Sequence, residues 1–124
     1  MTRLQLVALA FFAVFAATVP AGRGSAHAFL DRAEPAVGST AQVAPKDVRL
    51  WFSEPLEAAF SSIRVVDSAG KTVDGGDAQV DPHIRTLLQV SLPLLSPGTY
   101  HVFWRAVSVD THTTEGDFTF EVKP

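Results

Sequence analysis

His27 and the triplet Asp110-Thr111-His112 are the residues whose types and placing could do chemistry in this chain. If export trims the chain so that His27 comes first, that one residue offers two nitrogens, its α-amine and its imidazole, which close a six-membered chelate ring through Nδ1. Asp110 and His112 add a carboxylate and a second imidazole. Two apart on extended backbone, their side chains fall on the same side. Together these donors make a tetragonal nitrogen and oxygen set, the geometry that suits Cu(II), at one ion per chain. Each half also has a plain reading. His27 could be an exposed residue in a frayed terminus, and Asp110 and His112 a turn aspartate beside a solvated histidine. The triplet gains weight only if His27 can reach it.

Other candidates compete. Glu54, in Phe52-Ser53-Glu54-Pro55, could be an outer hydrogen-bond partner of the site, a weak axial oxygen ligand, or a surface carboxylate beside a proline turn. His83 lies in the polar turn Asp81-Pro82-His83, and His101 alternates onto the face opposite Trp104. Both read as solvated or structural. Trp51 and Trp104 could form a binding platform, but tryptophan at strand spacing in a small sandwich is expected in the core. No catalytic set emerges. The chain has no G-x-S-x-G elbow, no H-E-x-x-H and no phosphate-binding glycine loop, and Asp74 and Asp77 sit in a glycine-rich turn where solvation is the ordinary explanation.

Those donors must be delivered by export and held by a fold. Residues 1–26 read as a secretory signal: Arg3 in a short basic start, an apolar run from Leu6 to Val19, then Pro20 and small residues up to Ala26. The run is shorter than the roughly 20 residues that cross a bilayer. Three cuts fit the small-residue pattern: after Ala26, which leaves His27 first; after Ala21, which leaves a short extension; and after Ala28, which deletes the histidine. The first leaves one 98-residue domain, 27–124, with 8 basic and 13 acidic residues and a net charge of −5. An acidic chain without a basic cluster suits neither nucleic acid nor direct anchoring on anionic lipid. With no cysteine, the fold stands on packing alone, and thiolate metal sites, a cysteine nucleophile and a lipidated terminal cysteine are excluded.

Short alternating or β-branched runs punctuated by Pro, Gly and Asp predict an all-β sandwich. Strands are expected near Ala28–Ala33, Val48–Phe52, Ser62–Val66, Thr86–Leu92, Thr99–Ser108 and Gly116–Val122, with a helical turn near Pro55–Phe60. Phe118, Phe120 and Val122 should share one face, and so should Tyr100, Val102, Trp104 and Ala106. These two strands should supply much of the core.

Several motifs taken together resemble the CopC family of periplasmic copper-resistance proteins: His27-Ala28-Phe29-Leu30, Glu34-Pro35-Ala36, the run Val48 to Pro55, Gly98-Thr99-Tyr100, the run Trp104 to Ser108, Asp110-Thr111-His112, and Gly116 to Phe120. They cover nearly all of residues 27–124 in order. The resemblance implies a small Greek-key β-sandwich or barrel, Ig-like or cupredoxin-like, of about seven strands. It implies Cu(II) bound by the amine and imidazole of His27 with Asp110 and His112, Glu54 as a neighbouring acidic group, and a carrier, chaperone or buffer role in copper resistance rather than catalysis. An inner-membrane copper transporter or another periplasmic copper protein is the implied partner. Two departures stand out. The only methionine is Met1, so the soft methionine-rich Cu(I) site of some family members is not expected, and Thr111 stands where members often carry glycine. The rival readings are a metal-free Ig-like interaction module and a histidine-brace copper oxidase, the site of lytic polysaccharide monooxygenases.

Overall fold

The computed structural model describes residues 27–124. The signal-sequence expectation for residues 1–26 lies outside them. Eight strands form two four-stranded sheets: β1 (Leu30–Glu34), β2 (Thr40–Ala41), β3 (Asp47–Phe52), β4 (Ser62–Val66), β5 (Gln79–Val80), β6 (Leu87–Ser91), β7 (Gly98–Val107) and β8 (Thr113–Val122). One sheet has the order β1-β3-β6-β5 and the other β2-β8-β7-β4. Among consecutive strands only β5–β6 and β7–β8 are paired neighbours, and every other connection crosses between the sheets. The architecture is the expected all-β sandwich. A 3-10 turn at Ala58–Phe60 lies within the expected helical position.

Alternation decides which residues face inward. Val48, Leu50 and Phe52 of β3, Ile63 and Val65 of β4, Tyr100, Val102 and Ala106 of β7, and Phe118, Phe120 and Val122 of β8 are all buried. Burying one such large side chain contributes about 1.5–3 kcal/mol. Tyr100 stacks on Phe120 at 5.6 Å between ring centroids, and its hydroxyl donates to the Ser96 carbonyl at 2.6 Å. Asp74 and Asp77 are more than solvated turn residues: Asp74 accepts from the Val65 N–H at 2.8 Å and Asp77 from the Ser91 N–H at 2.9 Å. They staple the long loop before β5 to the strands.

The sequence expectations need three corrections. β1 starts at Leu30, two residues late, because Ala28 and Phe29 form an arm tied down by side chains. β2 and β5, of two residues each, are too short to show a period. β8 begins at Thr113 rather than Gly116, so β7 and β8 pair continuously from Gly98↔Val122 to Val107↔Thr113. Gly116 is part of the strand because the Trp104 indole lies where its Cβ would be.

That long hairpin positions the site. Its tip, residues 108–112, reaches the end of the sandwich where β3 finishes and β1 begins, since Leu30 pairs with Phe52. The segment after β3 ties the two together: the Pro55 carbonyl accepts from the Val109 N–H at 3.1 Å, and the Glu57 N–H donates to the Val107 carbonyl at 2.8 Å.

Candidate metal centre

Ser108 organises the hairpin tip. It is 1% exposed, its N–H donates to the His112 carbonyl at 2.9 Å, and its carbonyl accepts from the Thr111 N–H at 2.8 Å. Its hydroxyl donates to Oδ1 of Asp110, and the same oxygen lies 3.3 Å from Nδ1 of His112. The Ser108 hydroxyl first, and the His112 ring after it, hold the Asp110 carboxyl below the usual carboxylate range. An ionised carboxylate is thus fixed beside an imidazole, and both side chains are about half exposed, at 48% and 52%.

Between them Thr111 has φ 72°, the only positive φ at a non-glycine residue among the described residues. The left-handed region strains a β-branched side chain by about 1–3 kcal/mol. Glycine removes that strain but adds freedom to the unfolded chain, a smaller effect. Thr111→Gly is therefore expected to stabilise the protein by about 1 kcal/mol, raising Tm by about 4–8 °C for a domain of this size. A thermal melt in which the variant is no more stable than the parent would contradict it.

The N-terminal arm comes from the other sheet. Ala28 is fully buried, and its carbonyl accepts from the Thr114 hydroxyl of β8 at 2.7 Å. Ser53 brackets the next peptide: its Oγ accepts from the Phe29 N–H at 2.8 Å, and its own N–H donates to the Phe29 carbonyl at 2.9 Å. Held this way, the His27 ring lies 4.7 Å from the His112 ring, tilted by 31°. The condition set by the sequence is met, because His27 reaches the triplet.

Among the described residues no three His, Asp or Glu side chains converge on a point that could hold a metal ion. Two imidazoles on one ion place their donor nitrogens at most about 4 Å apart, twice a metal–nitrogen bond. Ring rotation at the observed centroid distance can reach that. The nitrogen of residue 27 is a peptide amide for as long as residue 26 is attached, so in the intact chain only the two imidazoles and the carboxylate can serve. The donors present are hard to borderline nitrogens and oxygens, a set that fits Cu(II).

None of the remaining candidates forms a side-chain hydrogen bond or ion pair with these donors among the described residues. Glu54 is half-buried next to Ser53, and its carboxylate has neither a hydrogen bond nor an ion pair among the described residues. His83 is exposed in the turn before β6, where its N–H is taken by Asp81 at 2.8 Å. His101 lies on the outer face of β7, with Nε2 2.6 Å from Asp117 and its ring stacked on Phe103 at 4.2 Å. Trp104 packs edge-on against Phe52 at 5.1 Å, as a residue lining the core should. Trp51 does not follow the core expectation. It faces outward from β3, half-buried between the guanidiniums of Arg32 at 4.1 Å and Arg49 at 5.1 Å. Those two cations cover the indole that burial would otherwise have protected.

Three residues that order the site were not singled out from sequence: Ser53, Ser108 and Thr114. Thr111 gave the one available signal, a threonine where members of the family that the sequence resembles often carry glycine.

Comparisons with known proteins agree with this architecture. A family model described as the CopC domain matches residues 30–123, beginning three residues after His27. Copper resistance protein C of Pseudomonas syringae pv. tomato is 35% identical over 120 residues, covering 91% of this chain and 94% of that protein. The crystal structure of CopC from Methylosinus trichosporium OB3b superposes with a TM-score of 0.73 at 36% identity, over 79% of this chain and 95% of that one. PcoC of Escherichia coli, described as a methionine-rich copper resistance protein, superposes with a TM-score of 0.69 at 34% identity, over 79% of this chain and the whole of PcoC. Agreement in sequence, in fold and in the extent of the match leads to one conclusion: the chain belongs to the CopC family.

Proposed function

We propose that this protein is an exported Cu(II) carrier or buffer that takes one ion per chain at the end of its sandwich. Residues 1–26 act as the export signal, and cleavage after Ala26 makes His27 the first residue of a periplasmic protein. His27 then supplies amine and imidazole, His112 a second imidazole and Asp110 a carboxylate. Glu54, close by in the chain to Ser53, adds negative charge near the site. The observation that carries this reading is the 4.7 Å approach of the His27 and His112 rings from opposite ends of the sequence. Copper is cargo here, and no step of catalysis is required.

The names of the relatives support copper as the ion, and the donor set supports its oxidised state. PcoC is described as methionine-rich, whereas in this chain the only methionine is Met1 and cysteine is absent, so the soft donors that favour Cu(I) are missing. A donor or acceptor, such as an inner-membrane copper transporter or another periplasmic copper protein, would approach the hairpin tip. Phe29 and Val109, neighbours of the site, are 57% and 48% exposed there and give such a partner apolar area to cover.

The test is the intact mass of the secreted protein with and without Cu(II), followed by a thermal melt. A chain beginning at His27 with one bound Cu(II) is expected, together with weak Cu(I) binding in competition with a Cu(I) chelator. The site exists only in the folded state, so Cu(II) at 100 times its Kd should stabilise by about 2.7 kcal/mol. That gain should fade in acid as protons take the nitrogens. The Ser108 hydroxyl, which lowers the pKa of Asp110, keeps that carboxylate ionised further into acid than an ordinary carboxylate. Melting that ignores Cu(II) at neutral pH, or tight stoichiometric Cu(I) binding, would refute the proposal.

A further inference from the structure

Between the two halves of the donor set runs the segment Ser53-Glu54-Pro55-Leu56-Glu57, and it grips both. Toward the hairpin tip, Pro55 and Glu57 bind the backbone of Val109 and Val107, and Leu56 bridges to Ser108. Toward the N-terminal arm the grip falls to one residue. The Ser53 hydroxyl accepts from the Phe29 N–H at 2.8 Å and reaches the His27 carbonyl at 3.4 Å. A serine hydroxyl has one proton to give and two lone pairs to offer, so it can do both at once. Its two partners lie on either side of the buried Ala28, and so it fixes the peptide that carries His27.

We propose that Ser53 is a positioning residue for copper binding: its hydroxyl registers the N-terminal arm on the same segment that holds the Asp110–His112 tip, and thereby sets His27 opposite His112. Upstream of Ala28, whose carbonyl is tied to Thr114, His27 keeps only this carbonyl contact and its ring contacts with Phe29 and His112. Without the hydroxyl, Ala28 stays buried while residue 27 swings. The proposal rests on the reading of His27 as a ligand, and its test separates the two.

Five proteins are compared by Cu(II) competition titration and by electron paramagnetic resonance of the Cu(II) form: the mature chain, Ser53→Ala, Ser53→Thr, a chain with one glycine placed before His27, and that glycine-extended chain combined with Ser53→Ala. Residues that orient metal ligands typically contribute 10- to 100-fold in affinity. Ser53→Ala should therefore bind Cu(II) about tenfold more weakly, with a resonance signal shifted toward that of the glycine-extended chain. Ser53→Thr, which keeps the hydroxyl, should recover most of the affinity. In the glycine-extended chain Ser53→Ala should add little, because the arm no longer delivers a chelating terminus. If Ser53→Ala lowers the Tm of the copper-free protein but leaves affinity and signal unchanged, the serine is merely structural and the proposal falls. Equal losses in both backgrounds overturn it too, since the effect would not pass through His27. If the glycine extension alone changes neither affinity nor signal, the α-amine is not a ligand, and the reading of His27 as a chelating terminus fails and takes the proposal with it.

Discussion

Asp110→Ala and His112→Ala should each weaken Cu(II) binding by at least on the order of 100-fold, while His83→Ala and His101→Ala leave it unchanged. Changing a residue that merely orients a ligand costs 10- to 100-fold, so removing the ligand itself should reach or exceed the top of that range, about 2.7 kcal/mol. The contrast among the histidines comes from what each is already doing. His101 has Nε2 engaged by Asp117 at 2.6 Å and its ring against Phe103 on the outer face of the sheet. His83 stands in a turn built around Asp81. His112 is half exposed, shares Asp110 as a neighbour, and faces His27. Competition titration of the four variants, each checked for folding by near-ultraviolet circular dichroism, separates the two pairs. Comparable losses in all four would mean that the ion is held diffusely by surface histidines, and the assignment would fail.

The parts of this molecule that were legible in its sequence are those with a period. Phe118, Phe120 and Val122 alternate with Thr119, Glu121 and Lys123 and proved to be an inward face, because a strand repeats every two residues and burial follows that repeat. Where two apolar residues adjoin, as in Trp51-Phe52, the period cannot choose which one turns in. The choice fell to Arg32 and Arg49, which cover the indole from outside, and Arg32 comes from another strand. The hairpin's length was hidden for a similar reason. Gly116 reads as a break in a strand, but its missing Cβ makes room for the Trp104 ring directly across the ladder.

The site divides along the same line. His27, Asp110 and His112 could be nominated as candidates from chemistry and the family resemblance, since few side chains donate to Cu(II) and this chain has only four histidines. The residues that bring them together could not. Ser53 acts on an arm 24 residues earlier, and Thr114 on a carbonyl 86 residues earlier. Serine and threonine carry no signature of such partners until the strands are paired. Ser108 and Thr111 are local exceptions. A Ser two residues before an Asp, and a residue just after that Asp that must take a left-handed backbone, form a pattern that loop chemistry can read.

Adding one glycine before His27 should reduce Cu(II) affinity at least on the order of tenfold while leaving every side chain of the domain in place. The α-amine and the imidazole of a terminal histidine close a six-membered ring on one ion. An added residue turns that amine into a peptide amide, which is a poor donor at neutral pH, and moves the new amine too far along the chain to chelate with the same ring. A factor of ten corresponds to only about 1.4 kcal/mol, and a lost chelating nitrogen should exceed it. The unprocessed chain has the same defect, because Ala26 is joined to His27, so tight binding would begin only after export has exposed the terminus. On this reading a precursor still inside the cell competes poorly for copper, and cleavage of the signal is also the step that activates the site. A competition titration of the glycine-extended protein is decisive. Unchanged affinity with an unchanged visible spectrum would remove the amine from the ligand set and leave His27 as a single imidazole donor.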